Sequence, residues 1–221
     1  IYTLSLHDAL PIFDYTYYST DFESNVYKIS RERKVYVINM SFGFSADGIN
    51  PSGYVASDYA AVNDALKADV ISVGGMSNDS SDARDWYPAA YSNVISVSGI
   101  DSNYNHIWNI SSKNDYVAPA YELYSVDING PIDGGSGGTS LATPLVASVV
   151  TIMKYYDPKI SLSNIKRLLS YYAVTDKLKG FKRGKNGWGD GLVYVGNTKI
   201  FDDVKTAFNK VISTSFFLSS S

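Results

Sequence analysis

Residues 137–147 read GGTSLATPLVA, which runs from a glycine-rich turn directly into an apolar helix with a small hydroxyl residue at the junction. Glycines let another chain approach the backbone closely, and the first turn of a helix has unpaired N–H groups and a partial positive charge. A nucleophilic serine and the oxyanion that develops during acyl transfer require these properties. The segment therefore identifies Ser140 as a candidate nucleophile and its backbone N–H as a candidate oxyanion donor.

The composition of the 221-residue chain narrows the function classes. Hydrophobic residues make up 45% and charged residues 19%, which is typical of a folded globular protein and not of a disordered one. The formal net charge of −3 argues against a general nucleic-acid binder, and no apolar run approaches the length that spans a bilayer. The absence of cysteine excludes disulfides, cysteine nucleophiles and thiolate metal sites.

Short β-branched runs alternate with helical patterns along the chain. Strands are predicted at 34–41, 69–75, 93–99 and 115–119, and helices at 57–67, from 139 or 140 to about 155, after a Ser161 cap, and at 202–211. Residues 128–138 are predicted to form a flexible loop. Because strands and helices alternate without a linker, we predict one α/β domain with a mostly parallel β-sheet flanked by helices.

The serine segment resembles the G-T-S-M-A-x-P motif of the subtilisin-like serine proteases (subtilases), with Leu141 in place of the usual methionine. Further segments are similar to that family and follow its order: 37–43 (VINMSFG), 86–97 (WYPAAYSNVISV), 117–119 (VAP) and 187–193 (GWGDGLV). The resemblance implies an incomplete subtilisin-like α/β fold. It also implies a serine endopeptidase that hydrolyses peptide bonds through an acyl-enzyme on Ser140.

The resemblance also implies where a polypeptide substrate binds. In subtilases the end of the VINMS strand pairs with the main chain of an extended peptide, a form of β-augmentation. One wall of the cleft is thereby assigned to Ser41, Phe42 and Gly43, and the opposite wall to Val73, Gly74 and Gly75.

The main departure from the family concerns the asparagine whose side chain donates a hydrogen bond to the oxyanion. Aligning the family's S/A-A-G-N motif with the second strand puts the asparagine position at Gly75, or at Met76 after a shift of one residue. Asn78 is out of register in that alignment and reaches the site only from a rearranged loop. Since losing such a donor typically costs about 10²–10³ in rate, a second function stays open, that of a non-catalytic peptide-binding pseudo-protease.

The histidine and aspartate partners of the serine lie N-terminal to the VINMS strand in subtilases, in D-T/S-G and H-G-T-H motifs that do not occur here. Residues 3–12 (TLSLHDALPI) match a reading-frame translation of a common DNA sequencing adapter, so we expect residues 1–12 to be an assembly artefact. We expect 13–212 to be a peptidase domain truncated at its N-terminus and 213–221 to be a tail. His106 is expected in a loop or on the surface, and the chain alone is expected to be inactive.

The resemblance implies no organic cofactor, and no metal site is predicted. Many subtilases bind calcium on surface loops, and one polar segment offers oxygen ligands of that kind at Asp79, Ser81, Asp82 and Asp85. An ordinary polar loop is the favoured interpretation of that segment. The family further implies a polypeptide partner, no nucleic acid, and an extracellular or cell-surface location in a bacterium.

Overall fold

A computed structural model describes residues 26, 35–44, 55–80, 85–108, 111–123, 125–127, 130–132, 137–194, 196 and 198–218. The strands are β1 (Val37–Met40), β2 (Ile71–Gly75), β3 (Val94–Ile100), β4 (His106–Ile107), β5 (Tyr116–Pro119), β6 (Ser125–Asp127) and β7 (Gly130–Ile132). The helices are α1 (Ala56–Lys67), α2 (Thr139–Tyr156), α3 (Leu162–Tyr172) and α4 (Lys199–Leu218). None of the helices in these ranges is long and apolar enough to cross a membrane.

The central sheet is parallel along the path β1-β2-β3-β5. Val37 pairs with Ile71 on the first boundary, and Val97 pairs with Tyr116 on the last. The two residues of β4 add an antiparallel pairing at the end of β3. Together with the flanking helices, this arrangement confirms the predicted α/β class with a mostly parallel sheet.

Both faces of the sheet are covered, because successive residues of a strand point to opposite sides. Val37 belongs to the core that α2 covers, whereas Met40 belongs to a second core built on α1. Helix α2 packs against β1, β2, β3 and β5. The start of α2 thereby meets the segments that follow the carboxyl ends of β1 and β2, where open α/β sheets bind their ligands.

Several element boundaries differ from the sequence predictions. The predicted loop 128–138 contains β7, which pairs with β6 in an antiparallel ribbon. The last helix extends to Leu218 and so enters the segment predicted as a tail, because its apolar positions continue beyond 211. Ser161 caps α3 as predicted, since its side chain accepts a hydrogen bond from the Asn164 N–H. The predicted loop 45–54 lies outside the described residues.

Candidate active site

Ser140 is the second residue of α2, and its side chain is exposed. Gly138 precedes the helix and supplies no side-chain cap, so the first turn keeps N–H groups without intrahelical acceptors. The Ser140 Oγ donates a hydrogen bond of 3.0 Å to the carbonyl oxygen of Ser41, which directly follows β1. The candidate nucleophile therefore lies at the surface, beside the segment predicted to pair with a peptide.

A second hydrogen bond joins the same two serines, because the Ser41 Oγ donates to the Ser140 carbonyl at 3.0 Å. Pro144 accounts for this contact. It lies inside α2 and has no N–H, so the carbonyl four residues earlier, that of Ser140, loses its helical donor. Asn39 donates to the Ser41 Oγ at 2.9 Å and so directs the hydroxyl proton of Ser41 towards that carbonyl.

Asn78 lies at the start of α2, beside the backbone N–H of Ser140. Its Oδ1 accepts hydrogen bonds from the Thr139 N–H at 2.8 Å and from the Thr139 Oγ1 at 3.1 Å. A Cβ on Gly138 would lie 3.3 Å from Asn78 Nδ2 and 3.7 Å from Ser140 N. The missing side chain of Gly138 thus leaves room next to two N–H donors, one from a side-chain amide and one from the backbone.

These groups line one cleft of about 160 Å³. Its walls include Ser41, Phe42, Gly75, Asn78, Trp86 and Ser140. Trp86 forms one wall of the cleft, and its indole N–H donates to the Gly75 carbonyl at 3.1 Å. The cleft therefore combines a surface hydroxyl, a pair of N–H donors and an aromatic wall.

Only some of the residues predicted to form the walls of the cleft line it. Ser41 and Phe42 line it, and Gly43 is buried directly beneath the Trp86 indole. On the opposite side only Gly75 reaches the cleft, and it adjoins Met76, Ser77 and Asn78. Val73 and Gly74 lie deeper in β2, buried and paired with both neighbouring strands, and they are not among the residues that line this cleft.

The two alternatives for the asparagine position differ in what they offer the cleft. Gly75 has no side-chain donor, and its carbonyl is already an acceptor for Trp86. Met76 is buried, and its N–H donates to the Val97 carbonyl at 2.9 Å as part of the sheet. Asn78 presents its amide at the helix start. The sequence signal that identifies it is the small residue Ser77 directly before an asparagine, as in the G-N ending of the family motif.

His106 lies in the two-residue strand β4 and not in the predicted loop, and it is partly buried. Its ring packs edge-on against Trp188 with centroids 5.0 Å apart. The Nε2 atom is 3.2 Å from the buried Ser98 Oγ. Burial lowers the pKa of His106, and a hydrogen bond to the Gly187 backbone offsets only part of that effect. These contacts hold the ring in a partly buried position, and none of them involves Ser140.

The polar segment considered for calcium is described only at its ends. Asp79 hydrogen-bonds the Ser77 side chain at 3.0 Å, and Ser81 and Asp82 lie outside the described residues. Within the described ranges no group of three or more acidic or histidine side chains is positioned to hold a metal ion. No step of the chemistry is assigned to a metal ion.

Comparison with known proteins identifies the family. The family model described as the subtilase family matches residues 14–191. The chain belongs to the subtilase family. This subtilase is 34% identical over 125 residues to the minor extracellular protease Epr of Bacillus subtilis, covering 55% of this chain and 18% of that protein. It is 31% identical over 143 residues to subtilisin DY of Bacillus licheniformis, covering 62% of this chain and 49% of that protein. The chain thus spans half or less of the length of these two relatives.

Solved structures with the same fold agree with this assignment. A protease of Pseudoalteromonas arctica superposes with a TM-score of 0.72 at 20% identity, covering 85% of this subtilase chain and 59% of that one. A cold-adapted subtilisin-like serine proteinase gives a TM-score of 0.65 at 23% identity, covering 78% and 59%. At these identities the likeness establishes the fold.

Proposed function

We propose that the full-length protein is a serine endopeptidase that hydrolyses polypeptides through an acyl-enzyme on Ser140. The observation that carries the proposal is the position of the Ser140 hydroxyl. It is exposed at a helix start, beside Asn78 on one side and Ser41 on the other. Membership of the subtilase family supports the same chemistry.

In the proposed reaction the Ser140 Oγ attacks the scissile carbonyl carbon and gives up its proton to a general base. The carbonyl oxygen becomes the oxyanion, and the Ser140 N–H and the Asn78 Nδ2 donate hydrogen bonds to it. The base returns the proton to the leaving amine, and water then attacks the acyl-enzyme by the reverse route. Ser41, Phe42 and Gly43 are proposed to align the substrate main chain.

The general base is proposed to come from outside the described residues. The histidine that they contain, His106, hydrogen-bonds Ser98 and packs on Trp188 instead. A serine without a base is a poor nucleophile at neutral pH. Because the family's histidine and aspartate motifs do not occur in this sequence, we propose that this chain is inactive alone, and measurable turnover by it that depends on Ser140 would contradict this.

The alternative, a non-catalytic peptide-binding protein, rested on the lack of an oxyanion asparagine. The position of Asn78 beside the Ser140 N–H supports catalysis over this alternative, because it offers a side-chain donor where Gly75 and Met76 offer none. The relatives named as extracellular or subtilisin proteases support a polypeptide substrate and an extracellular location. Detection of peptides of this protein in the culture medium and not in washed cells would agree with export.

A small alkyl fluorophosphonate tests the proposal directly on the full-length protein. We expect the probe to label the protein, the modified peptide to contain Ser140, and Ser140→Ala to abolish labelling. Ser148→Ala removes an exposed hydroxyl of the same helix and is the matched control, expected to label like the wild type. Absence of labelling in the wild type, or labelling that persists in Ser140→Ala, would contradict catalysis by this serine.

A further inference from the structure

Trp86 is held at the cleft by contacts on both sides. The following residue, Tyr87, forms an antiparallel bridge with Phe44, with hydrogen bonds of 2.8 and 3.0 Å between their backbones. This bridge fixes the chain next to the segment that leaves β1. The Trp86 indole N–H donates to the Gly75 carbonyl at the end of β2, at 3.1 Å. The ring therefore connects the carboxyl ends of two neighbouring strands.

Gly43 shows how closely the ring fits. A Cβ placed on Gly43 would lie 2.2 Å from the Trp86 Nε1 and 2.6 Å from its Cε2. Contacts of this length do not occur between real atoms, so the indole lies directly on the Gly43 backbone. The gap between the strand ends is thus filled by an aromatic ring that has a polar anchor at Gly75 and a backbone floor at Gly43.

The space that remains is small. Ser140 and Trp86 line the same cleft of about 160 Å³, whereas pockets for small-molecule ligands typically measure about 300–1,000 Å³. In a peptide whose scissile carbonyl lies on Ser140, the Cα bonded to that carbonyl carbon carries the neighbouring side chain. With the peptide main chain aligned along Ser41–Gly43 as proposed, we place that side chain in the same cleft.

We infer that Trp86 is a specificity-determining residue that closes the cleft to large side chains, so that the residue contributing the scissile carbonyl is glycine, alanine or serine. The inference rests on the proposed function for the identity of the substrate, but the size limit applies equally to a peptide that binds without being cleaved. A closely packed aromatic wall excludes bulky groups because neighbouring atoms cannot shift without losing contacts. Each methylene that a pocket discriminates is worth about 10–200-fold.

Peptide binding tests the size limit without requiring turnover. The probes are dye-labelled hexapeptides that differ only in their last residue, which is Gly, Ala, Leu or Phe. Their C-terminal carboxylate can bind between Asn78 and the start of α2. Fluorescence anisotropy with the full-length protein gives their dissociation constants. We expect the Ala peptide to bind at least about tenfold more tightly than the Phe peptide.

Two variants at position 86 assign the preference to the indole. Trp86→Ala is expected to abolish or reverse it, whereas Trp86→Phe, which keeps most of the ring and loses the N–H, is expected to retain it. Tyr171→Ala removes an exposed aromatic side chain of α3 and is the control, expected to match the wild type. Thermal unfolding checks that each variant is folded. If Trp86→Ala is not folded, the dissociation constants of the four peptides for the wild type and for Trp86→Phe still test the size limit.

Each outcome bears on the inference. Equal or tighter binding of the Phe peptide by the wild type, an unchanged preference in folded Trp86→Ala, or no binding of any peptide overturns it. The fluorophosphonate experiment separates it from the proposed function, since that probe has no side chain that must enter the cleft. A size preference without labelling supports the inference while the proposed catalysis fails. Labelling without a size preference supports the proposed catalysis while the inference fails.

Discussion

Ser41 and Ser140 exchange two hydrogen bonds of 3.0 Å across 99 residues of sequence, each hydroxyl donating to the backbone carbonyl of the other residue. The pair connects the segment after β1 to the first turn of α2. Pro144 leaves the Ser140 carbonyl without a helical donor, and the Ser41 hydroxyl supplies one. A proline in the helix is thereby coupled to the position of the candidate nucleophile relative to the candidate peptide-binding segment.

The first prediction follows from this coupling. Ser41→Ala removes the donor to the Ser140 carbonyl and is expected to lower the free energy of unfolding by about 0.5–1.5 kcal/mol. In a Pro144→Ala background the helix regains an N–H for that carbonyl, so Ser41→Ala is expected to cost at least about 0.5 kcal/mol less. Chemical denaturation of the four proteins of this double-mutant cycle measures the difference. Ser148→Ala serves as a control, and equal costs in both backgrounds would show that Pro144 does not create the need for Ser41.

The second prediction separates the two ends of the Asn78 amide. Asn78→Asp keeps an oxygen that accepts from Thr139, whose N–H is 2.8 Å from Oδ1, but it replaces the Nδ2 donor with a negatively charged oxygen. We expect the turnover of a peptide ester by the full-length protein to fall by about 10²–10³. The melting temperature should not fall, because a carboxylate at a helix N-terminus stabilises the helix. Unchanged turnover in Asn78→Asp would exclude Asn78 as an oxyanion donor.

The third prediction concerns the fit between Gly43 and Trp86. An alanine at 43 would bring its Cβ to 2.2 Å from the indole Nε1, so Gly43→Ala is expected to cost about 1–3 kcal/mol through overpacking. In a Trp86→Ala background the ring is gone, and the same change is expected to cost less than about 0.5 kcal/mol. Urea denaturation measures both costs. If Gly43→Ala is equally destabilising with and without the ring, the close contact is not what restricts this position.

Much of this architecture can be predicted from the sequence, since the strong signals are local. The apolar β-branched runs around Val37 and Val97 predict buried parallel strands, and the glycine-to-helix junction before Ser140 predicts an exposed hydroxyl at a helix start. The Ser161 cap predicts the start of α3. In each case the residue types within a few positions of one another determine the local structure.

The remaining features depend on contacts between distant residues. The pairing of β6 with β7 is not visible in residues 128–138, because a three-residue strand has too few positions to establish an alternating pattern. The role of Asn78 depends on how three residues after β2 reach Thr139, and a one-residue error in register moves it away from the site. Trp86 becomes a wall of the cleft through two contacts distant in sequence, the pairing of Tyr87 with Phe44 and the indole hydrogen bond to Gly75.

The fourth prediction concerns pH and His106. Burial lowers the pKa of this histidine below its ordinary value of 6.5, with the Gly187 backbone hydrogen bond acting in the opposite direction. The unfolded chain therefore binds a proton at a higher pH than the folded protein does. The stabilisation is fully present above pH 6.5 and is lost as the pH falls from there through the folded pKa.

Thermal unfolding between pH 8 and pH 5 tests the pH dependence. We expect the melting temperature of the wild type to fall below pH 6.5. His106→Gln keeps a polar side chain near Ser98 and Gly187 but does not titrate, so its melting temperature should fall less over the same interval. Carboxyl groups titrate mainly at lower pH and contribute equally to both proteins, so the difference between the two curves reports His106. Parallel curves would mean that the buried ring exchanges its proton at the same pH in the folded and unfolded states.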